Sequence, residues 1–422
     1  MQTHLSPEFE GTAEGAQAQA IIRKCVHCGF CNATCPTYQL LGDELDGPRG
    51  RIYLIKQVLE GGAVTRSTQL HLDRCLTCLN CQTTCPSGVE YGHLVDIGRK
   101  IVDARVARPA SERTLRWVLK EGLTSRLFAP ALRLGQALRP LLPERLKNKV
   151  PPRAAASGAE PPARAHQHKV LMLQGCVQPA MLPNIDRAAA RVLDRAQIQT
   201  VHVPQSGCCG ALRTHLGDPD GGLENMRRNI DAWLPMVAAG GVQAIVSSAS
   251  ACSLQIKEYG YALAGDAAYA DKALQISNLA RDLSELLPQL LPALQGRTRS
   301  DRPKRLAFHA PCTLQHGQEL KGGVESSMRT LCFEVDVAGS DSHLCCGSAG
   351  TYSILQPQLA MQLRDRKLEQ LVRLEPEYIV SANVGCIRHL QSGTAIPVKH
   401  WIEVLDEALL PAARPPSARG AV

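Results

Sequence analysis

Apolar residues recur along this chain with two different spacings, and each spacing predicts a different element. In "RIYLIKQVLE" (51–60) the apolar positions Ile52, Ile55, Val58 and Leu59 fall on one side of a helix. Further along, short continuous apolar runs such as "VLMLQGC" (170–176) are typical of buried strands. The pattern therefore predicts a helical domain first and a mixed strand and helix region after it.

The strand and helix region repeats one order of elements. The strands "VLMLQGC" and "LAFHAPC" (306–312) are each followed by a helix, a second strand, a long helix and a third strand. Strands that alternate with helices predict parallel sheets. The predicted fold class is therefore multidomain, α+β and α/β: a helical domain followed by two tandem α/β modules with parallel sheets.

Four cysteines mark each module at matching places, offset by 134 to 137 residues. One ends the first strand, an adjacent pair follows the second strand, and the fourth follows the third strand. Because parallel strands end at one edge of a sheet, each quartet is expected to converge there. Three uses fit such a quartet: an iron–sulfur cluster, a redox-active thiol site, or a scaffold that has lost its metal. The two quartets are Cys176, Cys208, Cys209 and Cys252, and Cys312, Cys345, Cys346 and Cys386.

Four histidines accompany the second quartet, and we interpret them as hydrogen-bonding neighbours rather than ligands. They are His309, His316, His343 and His389.

Eight further cysteines stand in two runs with the same spacing, "CVHCGFCNATCP" (25–36) and "CLTCLNCQTTCP" (75–86). This C-x2-C-x2-C-x3-C-P spacing is that of a bacterial two-cluster ferredoxin, in which the fourth cysteine of each run ligates the other [4Fe–4S] cluster. The predicted ligands are Cys25, Cys28, Cys31 and Cys85 for cluster 1, and Cys75, Cys78, Cys81 and Cys35 for cluster 2.

Structural zinc is the alternative for these eight cysteines. A zinc ion needs four ligands, usually from two separated C-x2-C pairs. The third and fourth cysteines of each run exceed that need, so the spacing favours two [4Fe–4S] clusters.

Composition and the N-terminal sequence indicate the cellular compartment in which the protein works. Hydrophobic residues make up 44% and charged residues 20% of the chain, and no run of 18 apolar residues occurs. The start, "MQTHLSPEFEGTAEG", lacks the pattern of a secretory signal. We therefore expect a reducing, cytoplasmic setting, where seventeen cysteines indicate metal rather than disulfides. The isolated Cys332 is expected to be a small buried residue in a helix.

Positive charge is concentrated in one connecting segment. From Arg99 to Arg153, fourteen Lys or Arg stand against four acidic residues, and leucines alternate with arginines. Such a segment favours contact with an anionic membrane surface or a partner, although a helix packed on its neighbours explains it too. Pro130, Pro140 and Pro143 are expected to interrupt it. No nucleic-acid motif accompanies the charge, so nucleic acid is not an expected partner.

These patterns predict seven segments. They are a flexible tail (1–18), a ferredoxin-like domain (19–98), a basic helical connector (99–148), a Pro/Ala-rich linker (149–168), a first cysteine-rich module (169–300), a second (301–408) and a flexible tail (409–422).

The duplicated Cys…Cys-Cys-Gly…Cys module resembles that of the cysteine-rich subunit of heterodisulfide reductase, which is shared with anaerobic glycerol-3-phosphate dehydrogenase and with lactate-utilisation proteins. The preceding ferredoxin motif, with "FHAPCTLQH" (308–316) and "DSHLCCGSAGTY" (341–352), is similar to the iron–sulfur subunits of bacterial glycolate oxidases. In heterodisulfide reductase each module ends in Cys-x-x-Cys. Here Gln255 and His389 replace the last cysteine, which weighs against a non-cubane cluster and disulfide chemistry.

The resemblance implies a subunit of an oxidoreductase that acts on the CH–OH group of glycolate. Flavin-bearing partner subunits would oxidise glycolate to glyoxylate, and this chain would relay electrons to a quinone or another carrier. Its expected place is the cytoplasm, with peripheral contact to the cytoplasmic face of the inner membrane. The chain lacks G-x-G-x-x-G, C-x-x-C-H and P-loop motifs, so no catalytic residue is assigned to it. The alternatives are the same role in a lactate or glycerol-3-phosphate dehydrogenase, a thiol–disulfide reductase, and a zinc-bound interaction module.

Overall fold

The structure is a computed structural model that describes residues 1–143, 147, 150–153, 158–162, 164–298 and 304–409. All but the first residue of the predicted tail 409–422 lies outside this range. The chain up to residue 143 is helical. Its α-helices are α1 (Ala13–Lys24), α2 (Phe30–Ala33), α3 (Pro36–Leu41), α4 (Pro48–Leu59), α5 (Arg66–Asp73), α6 (Asn80–Thr84), α7 (Tyr91–Arg105), α8 (Ala110–Thr124) and α9 (Phe128–Leu138), with short 3-10 helices at Glu44–Asp46 and Arg139–Leu141.

The N-terminal domain (residues 1–105) packs around α4 and α7. The predicted apolar face of α4 is buried. We expected residues 1–18 to form a flexible tail, but Thr3, Phe9 and Ala18 are buried. The amino group of Met1 also donates a hydrogen bond of 2.6 Å to the carbonyl oxygen of Cys25. The N-terminal residues therefore form part of this domain because their apolar side chains complete its core.

The basic connector forms α8 and α9, and neither helix contains a buried residue. Pro130 does not interrupt α9, because it lies in the first turn, where no intrahelical N–H donor is needed. Pro140 lies in the 3-10 helix that ends the segment, as the sequence predicts for a break at this point.

Two four-stranded parallel sheets follow, which confirms the predicted fold class. The strands of module 1 are β1 (His168–Met172), β2 (Ile198–Val201), β3 (Val242–Ser247) and β4 (Ala280–Asp282), in the order β2-β1-β3-β4. Those of module 2 are β5 (Arg305–His309), β6 (Glu334–Asp336), β7 (Tyr378–Ser381) and β8 (Val398–His400), in the order β6-β5-β7-β8. The sequence analysis does not predict β4 and β8, which follow the three strands of each repeat.

Helices cover both sheets. Those of module 1 are Gln178–Met181, Asn184–Arg195, Ala211–His215, Pro219–Ala238, Ser250–Lys257, Tyr259–Ala262, Ala270–Leu279 and Leu283–Leu294. Those of module 2 are Gly323–Thr330, Tyr352–Leu355, Pro357–Val372, Val384–Gln391 and Trp401–Ala408, with a π-helical turn at Thr313–Gly317.

The two modules share one hydrophobic core. Helix Leu283–Leu294 of module 1 packs on helix Gly323–Thr330 of module 2, and Asn184–Arg195 packs on Trp401–Ala408. A buried ion pair of 2.6 Å between Arg191 and Asp406 adds to the second contact. The modules are therefore one packed unit rather than two independent domains.

Cys332 corrects a prediction from the sequence. The helix ends at Thr330, and Cys332 follows it with φ of +66° and an exposed side chain. It is not a buried residue: its neighbours Leu331 and Phe333 lie in the core, but the left-handed turn at Cys332 leaves its own side chain in solvent.

Among the described residues, no helix combines the length and the apolar character needed to cross a membrane.

Candidate iron–sulfur and metal centres

The first cavity of the N-terminal domain (cavity 1) is lined by the four cysteines predicted for cluster 1. Cys25, Cys28, Cys31 and Cys85 all face it, together with Cys81, and it holds about 430 Å³ of empty space that is partly open to solvent. Cys25 is the C-cap of α1, and Cys85 is that of α6. Cysteines from both runs therefore line this cavity.

A second cavity (cavity 2) is lined by the four cysteines predicted for cluster 2. Cys35, Cys75, Cys78 and Cys81 face about 300 Å³ of empty space. Cys35 has extended backbone immediately before Pro36, the first residue of α3. A proline there ends the cysteine loop and starts the next helix without losing a needed N–H donor.

The two cysteine loops share an unusual backbone shape. His27 and Thr77 occupy equivalent positions with φ of +57° and +50°, and Gly29 and Leu79 follow with φ of +86° and +60°. In the second loop the N–H of Thr77 points to the sulfur of Cys75 at 3.4 Å. These left-handed residues curl each loop around its cavity, so that successive cysteines face the same point.

Burial and crowding make these thiols poor thiolates without a metal. Burial, reinforced by the nearby sulfurs of Cys25, Cys85 and Cys28, raises the pKa of Cys31 to about 11. Burial also raises the pKa of Cys35, although the neighbouring Arg51 guanidinium opposes the shift. Bound metal compensates the repulsion between neighbouring thiolates, because its positive charge stabilises each sulfur ligand in the deprotonated form. The donor sets therefore fit thiolate-bound iron–sulfur clusters.

One buried arginine lies beside cavity 2. Arg51 is 1% exposed and donates a hydrogen bond of 2.7 Å to the carbonyl oxygen of His71. Asp46, which is fully buried, faces Arg51 at 3.5 Å and Arg74 at 2.8 Å. No similarly buried cation faces cavity 1, whose lining includes only the partly exposed Arg49 among the described basic residues other than histidine. Cavity 2 therefore has the more positive surroundings.

The cysteines of module 2 form a continuous line that starts in the N-terminal domain. The thiol of Cys312 contacts those of Cys78 and Cys345. The thiol of Cys346 contacts those of Cys345 and Cys386. Cys312 and Cys345 also share a buried apolar cluster with Leu76 and Cys78. Module 2 is thus in direct contact with a predicted ligand of cluster 2.

Polar contacts hold the same interface. The amide nitrogen of Asn80 donates to the carbonyl oxygen of His343 at 3.2 Å, and the hydroxyl of Tyr352 donates to that of Arg74 at 3.1 Å. The hydroxyl of Thr83 lies 3.0 Å from the Nδ1 atom of His316.

The cysteines of module 1 also converge, as predicted from the sequence. The thiol of Cys208 contacts those of Cys176 and Cys209, and the thiol of Cys209 contacts that of Cys252. Hydrogen bonds from these two thiols lower the pKa of Cys208, whereas that of Cys176 is raised by the same contact and by burial. Among the described residues, the apolar cluster around this quartet contains no residue of the N-terminal domain.

The histidines near module 2 divide into two kinds. His316 lies with its Nε2 atom 2.9 Å from the carbonyl oxygen of His343, and His389 lies 3.1 Å from that of Ala360. Burial lowers the pKa of His316 to about 4, so it is neutral. The side chain of His309 differs, because neither ring nitrogen has a hydrogen-bond partner.

Three comparisons with known proteins extend this geometry. A family model described as a 4Fe-4S dicluster domain matches residues 21–89, which confirms the predicted two-cluster domain. A model described as a cysteine-rich domain matches twice, at residues 170–257 and 306–391, in agreement with the two modules. A crystal structure of a hypothetical protein from Helicobacter pylori is similar in fold, with a TM-score of 0.52 and 10% identity over 96% of this chain and 74% of that chain.

Curated relatives are closer in sequence. The glycolate oxidase iron-sulfur subunit of Escherichia coli is 54% identical over 415 residues, which cover 97% of this chain and 99% of that protein. A probable glycolate oxidase iron-sulfur subunit of Bacillus subtilis is 28% identical, over 88% of this chain and 89% of that protein. Lactate utilization protein A of Geobacillus thermodenitrificans is 24% identical, over 56% of this chain and 98% of that protein. On this similarity and on the ferredoxin and cysteine-rich domains described above, the chain belongs to the family of bacterial glycolate oxidase iron–sulfur subunits.

Proposed function

We propose that this chain is the electron-transfer subunit of a glycolate oxidase complex. Flavin-bearing partner subunits convert glycolate to glyoxylate, and this chain conducts the electrons one at a time to a quinone or another carrier. The observation that carries the proposal is the pair of cysteine-lined cavities, one with the exposed Cys28 and one beside module 2. The 54% identical relative supports glycolate as the substrate of the complex.

The ligand assignment is part of this proposal. The Cys25, Cys28, Cys31 and Cys85 set holds cluster 1, and the Cys35, Cys75, Cys78 and Cys81 set holds cluster 2, because each set lines its own cavity. Bound [4Fe–4S] clusters supply one-electron chemistry, and the protein tunes it through burial and charge. The positive charge of Arg51 stabilises the negative charge that reduction would add at cavity 2. It therefore favours the electron at cluster 2 over the electron at cluster 1.

Cavity 1 is the side that a redox partner is able to reach. Cys28 is exposed, and beside it Val26 is 68% and Phe30 is 61% exposed. Exposed apolar residues of this size around a redox centre favour docking of another protein. We therefore place the flavin-bearing partner at cavity 1 and the outgoing side of the chain at cavity 2 and module 2.

The connector supports peripheral contact with the cytoplasmic face of the inner membrane. The side chains of Trp117 on α8, Leu127 between the helices and Leu134 on α9 are 60%, 73% and 62% exposed. Arginines stand among them, at positions 113, 126 and 133. An exposed apolar surface mixed with arginine suits an anionic lipid surface, where a quinone acceptor is dissolved.

Lactate is the second candidate substrate, because lactate utilization proteins are relatives too. Those of Geobacillus thermodenitrificans and of an Exiguobacterium strain match 56% and 57% of this chain, whereas the glycolate oxidase subunit of Escherichia coli matches 97%. The fuller match favours glycolate.

The test uses the complete complex, purified with its partner subunits under anaerobic conditions. We expect glycolate to reduce a quinone analogue, with lactate and glycerol 3-phosphate much slower, and the isolated chain to oxidise none of the three. A Cys81→Ser variant should lose this transfer, whereas Cys332→Ser, which changes an exposed cysteine outside both cavities, should retain it. Glycolate oxidation by the isolated chain, or full transfer in the Cys81→Ser complex, would contradict the proposal.

A further inference from the structure

His309 is a buried side chain without a partner. It ends strand β5, is 2% exposed, and neither its Nδ1 nor its Nε2 atom has a hydrogen-bond partner. An imidazole carries one donor and one acceptor, and leaving each of them buried and unpaired costs about 1 to 3 kcal/mol. Something that binds a ring nitrogen at this position would remove that cost.

Two thiols lie next to this unpaired ring. One ring nitrogen of His309 and the sulfur atoms of Cys346 and Cys386 all lie within 4.8 Å of one another. Two atoms bonded to one zinc ion at about 2.0 to 2.3 Å are at most about 4.6 Å apart. The three donors are therefore already grouped closely enough to reach a single ion with small shifts.

The ferredoxin cysteines are arranged differently. Among the described residues, no three of the eight ferredoxin cysteines lie within that distance of one another. This is expected for cubane clusters, in which each cysteine binds a different iron and the sulfur atoms stand further apart. The grouping around His309 is thus typical of one metal ion rather than of the corners of a cube.

Module 1 offers an internal comparison, because the duplicated strands align. Leu173 occupies the place of His309, three residues before the strand-end cysteine of its module. It is buried in the apolar core of module 1. The nitrogen donor is therefore specific to module 2, although the two modules share their four-cysteine pattern.

We propose that His309, Cys346 and Cys386 bind a single transition metal ion that takes mixed nitrogen and sulfur ligands, either zinc or ferrous iron. The thiol of Cys345, which contacts that of Cys346, supplies the fourth ligand. Such a donor set selects zinc or iron over calcium and magnesium, which prefer oxygen ligands. The site is independent of the substrate of the complex.

The experiment measures metal content and ligand shell in the full chain, purified anaerobically. Three variants are compared: His309→Leu, which introduces the module 1 residue, His309→Cys, which keeps a ligand, and His389→Gln, a control whose histidine already bonds the Ala360 carbonyl oxygen. X-ray absorption at the zinc edge reports the shell of a zinc ion. Mössbauer spectroscopy reports the shell of a ferrous ion, because its isomer shift depends on whether sulfur alone or nitrogen and sulfur bind the iron.

We expect the wild-type chain and His389→Gln to hold zinc or iron with a nitrogen ligand. His309→Leu should lose metal affinity by about 10- to 100-fold or more, and His309→Cys should retain the metal in an all-sulfur shell. If His309→Leu does not fold, His309→Cys decides the question. An unchanged metal content and ligand shell in His309→Leu, or a nitrogen ligand that persists in His309→Cys, would overturn the proposal.

Discussion

Modules 1 and 2 have the same strand order and the same four cysteines, yet their surroundings differ. The thiols of module 2 touch Cys78 in the N-terminal domain, and the unpartnered His309 lies beside them. Module 1 meets the N-terminal domain through other residues, such as His93, whose ring stacks on Tyr261 at 3.7 Å. The duplicated cysteine pattern thus sets where thiols converge, whereas the neighbouring residues decide what each quartet is connected to.

The two modules differ in how their cysteines contact the N-terminal domain, and this difference indicates different roles. An electron that leaves cavity 2 has a direct line of sulfur atoms into module 2 through Cys78 and Cys312. The apolar cluster around the module 1 thiols includes no described residue of the N-terminal domain. We therefore expect module 2 to lie on the electron path and module 1 to act mainly as a support for it.

The largest effect should come from removing the paired cysteines of one module at a time. We expect Cys345→Ser with Cys346→Ser to lower glycolate-dependent reduction of the acceptor by about 100-fold, as expected when metal ligation is lost. The matching pair, Cys208→Ser with Cys209→Ser, should retain most of that rate. Steady-state assays of the whole complex measure both variants, and equal losses would show that the modules do not differ in this way.

The glycines after the paired cysteines sharpen the comparison through stability. Gly347 has φ of +89°, and an added Cβ would lie 2.4 Å from the carbonyl oxygen of Ala360. Gly210 has φ of +98°, and its Cβ would lie 2.8 Å from that of Gly222. We expect Gly347→Ala to cost about 3 kcal/mol and Gly210→Ala about 2 kcal/mol in free energy of unfolding.

Gly322→Ala is the control for backbone strain alone. Its φ is +76°, and no atom lies within 4 Å of the added Cβ, so a loss of about 1 kcal/mol is expected. Urea denaturation at equal metal loading measures all three variants. A loss at Gly347 no larger than that at Gly322 would show that the close approach to Ala360 is not required.

His400 makes the contact between modules pH-dependent. Its Nδ1 atom accepts the N–H of Ile402, and its Nε2 atom donates to the carbonyl oxygen of Ser248 in module 1 at 2.9 Å. Burial lowers the pKa of His400 from 6.5 to about 3. The unfolded chain therefore takes up a proton below pH 6.5 that the folded chain does not, and stability falls by about 1.4 kcal/mol per pH unit as the pH drops towards 3.

Replacing His400 tests this slope. His400→Asn keeps a helix-capping side chain but cannot titrate in this range, so the pH dependence of unfolding between pH 6.5 and 5 should become shallower by that amount. Replacement of the exposed His4 by Asn should leave the slope unchanged. The same slope in His400→Asn as in wild type would contradict this account of the contact.

The smallest effect concerns the contact between module 2 and the N-terminal domain. Thr83→Val removes the hydroxyl that lies 3.0 Å from the Nδ1 atom of His316 and should cost about 1 kcal/mol. Thr114→Val, a change of the same kind at an exposed position of α8, is the control. Thermal unfolding distinguishes the two, and an equal shift in both would show that the interface bond contributes nothing of its own.

Short-range patterns make much of this structure predictable. The spacing of Cys25 to Cys35 and of Cys75 to Cys85 indicates the two crossed ligand sets, because three ligands of each set lie within seven residues. The repeat likewise predicts both sheets and the convergence of their cysteines. The helical spacing of the apolar residues in α4 predicts which of its faces is buried.

The features that the sequence does not predict depend on contacts between distant residues. The role of His309 depends on the sulfur atoms of Cys346 and Cys386, which are far away in the sequence. Alignment of the two modules pairs His309 with Leu173. This replacement of an apolar residue by a histidine is the one sign of its role that the sequence offers. Arg51 stands in a helix that is apolar on one side only, so an arginine there gives no signal by itself, although its partner Asp46 is only five residues away. Burial of both charges is a tertiary effect that no local pattern records.

The most direct test of the central claim is metal analysis with electron paramagnetic resonance on the anaerobically purified full chain. The account predicts about eight iron and eight sulfide for the N-terminal domain, and a signal from [4Fe–4S] clusters after chemical reduction. This signal should survive replacement of Cys345 and Cys346 by serine. Zinc in place of iron at the N-terminal cysteines, or no paramagnetic signal after reduction, would contradict the account.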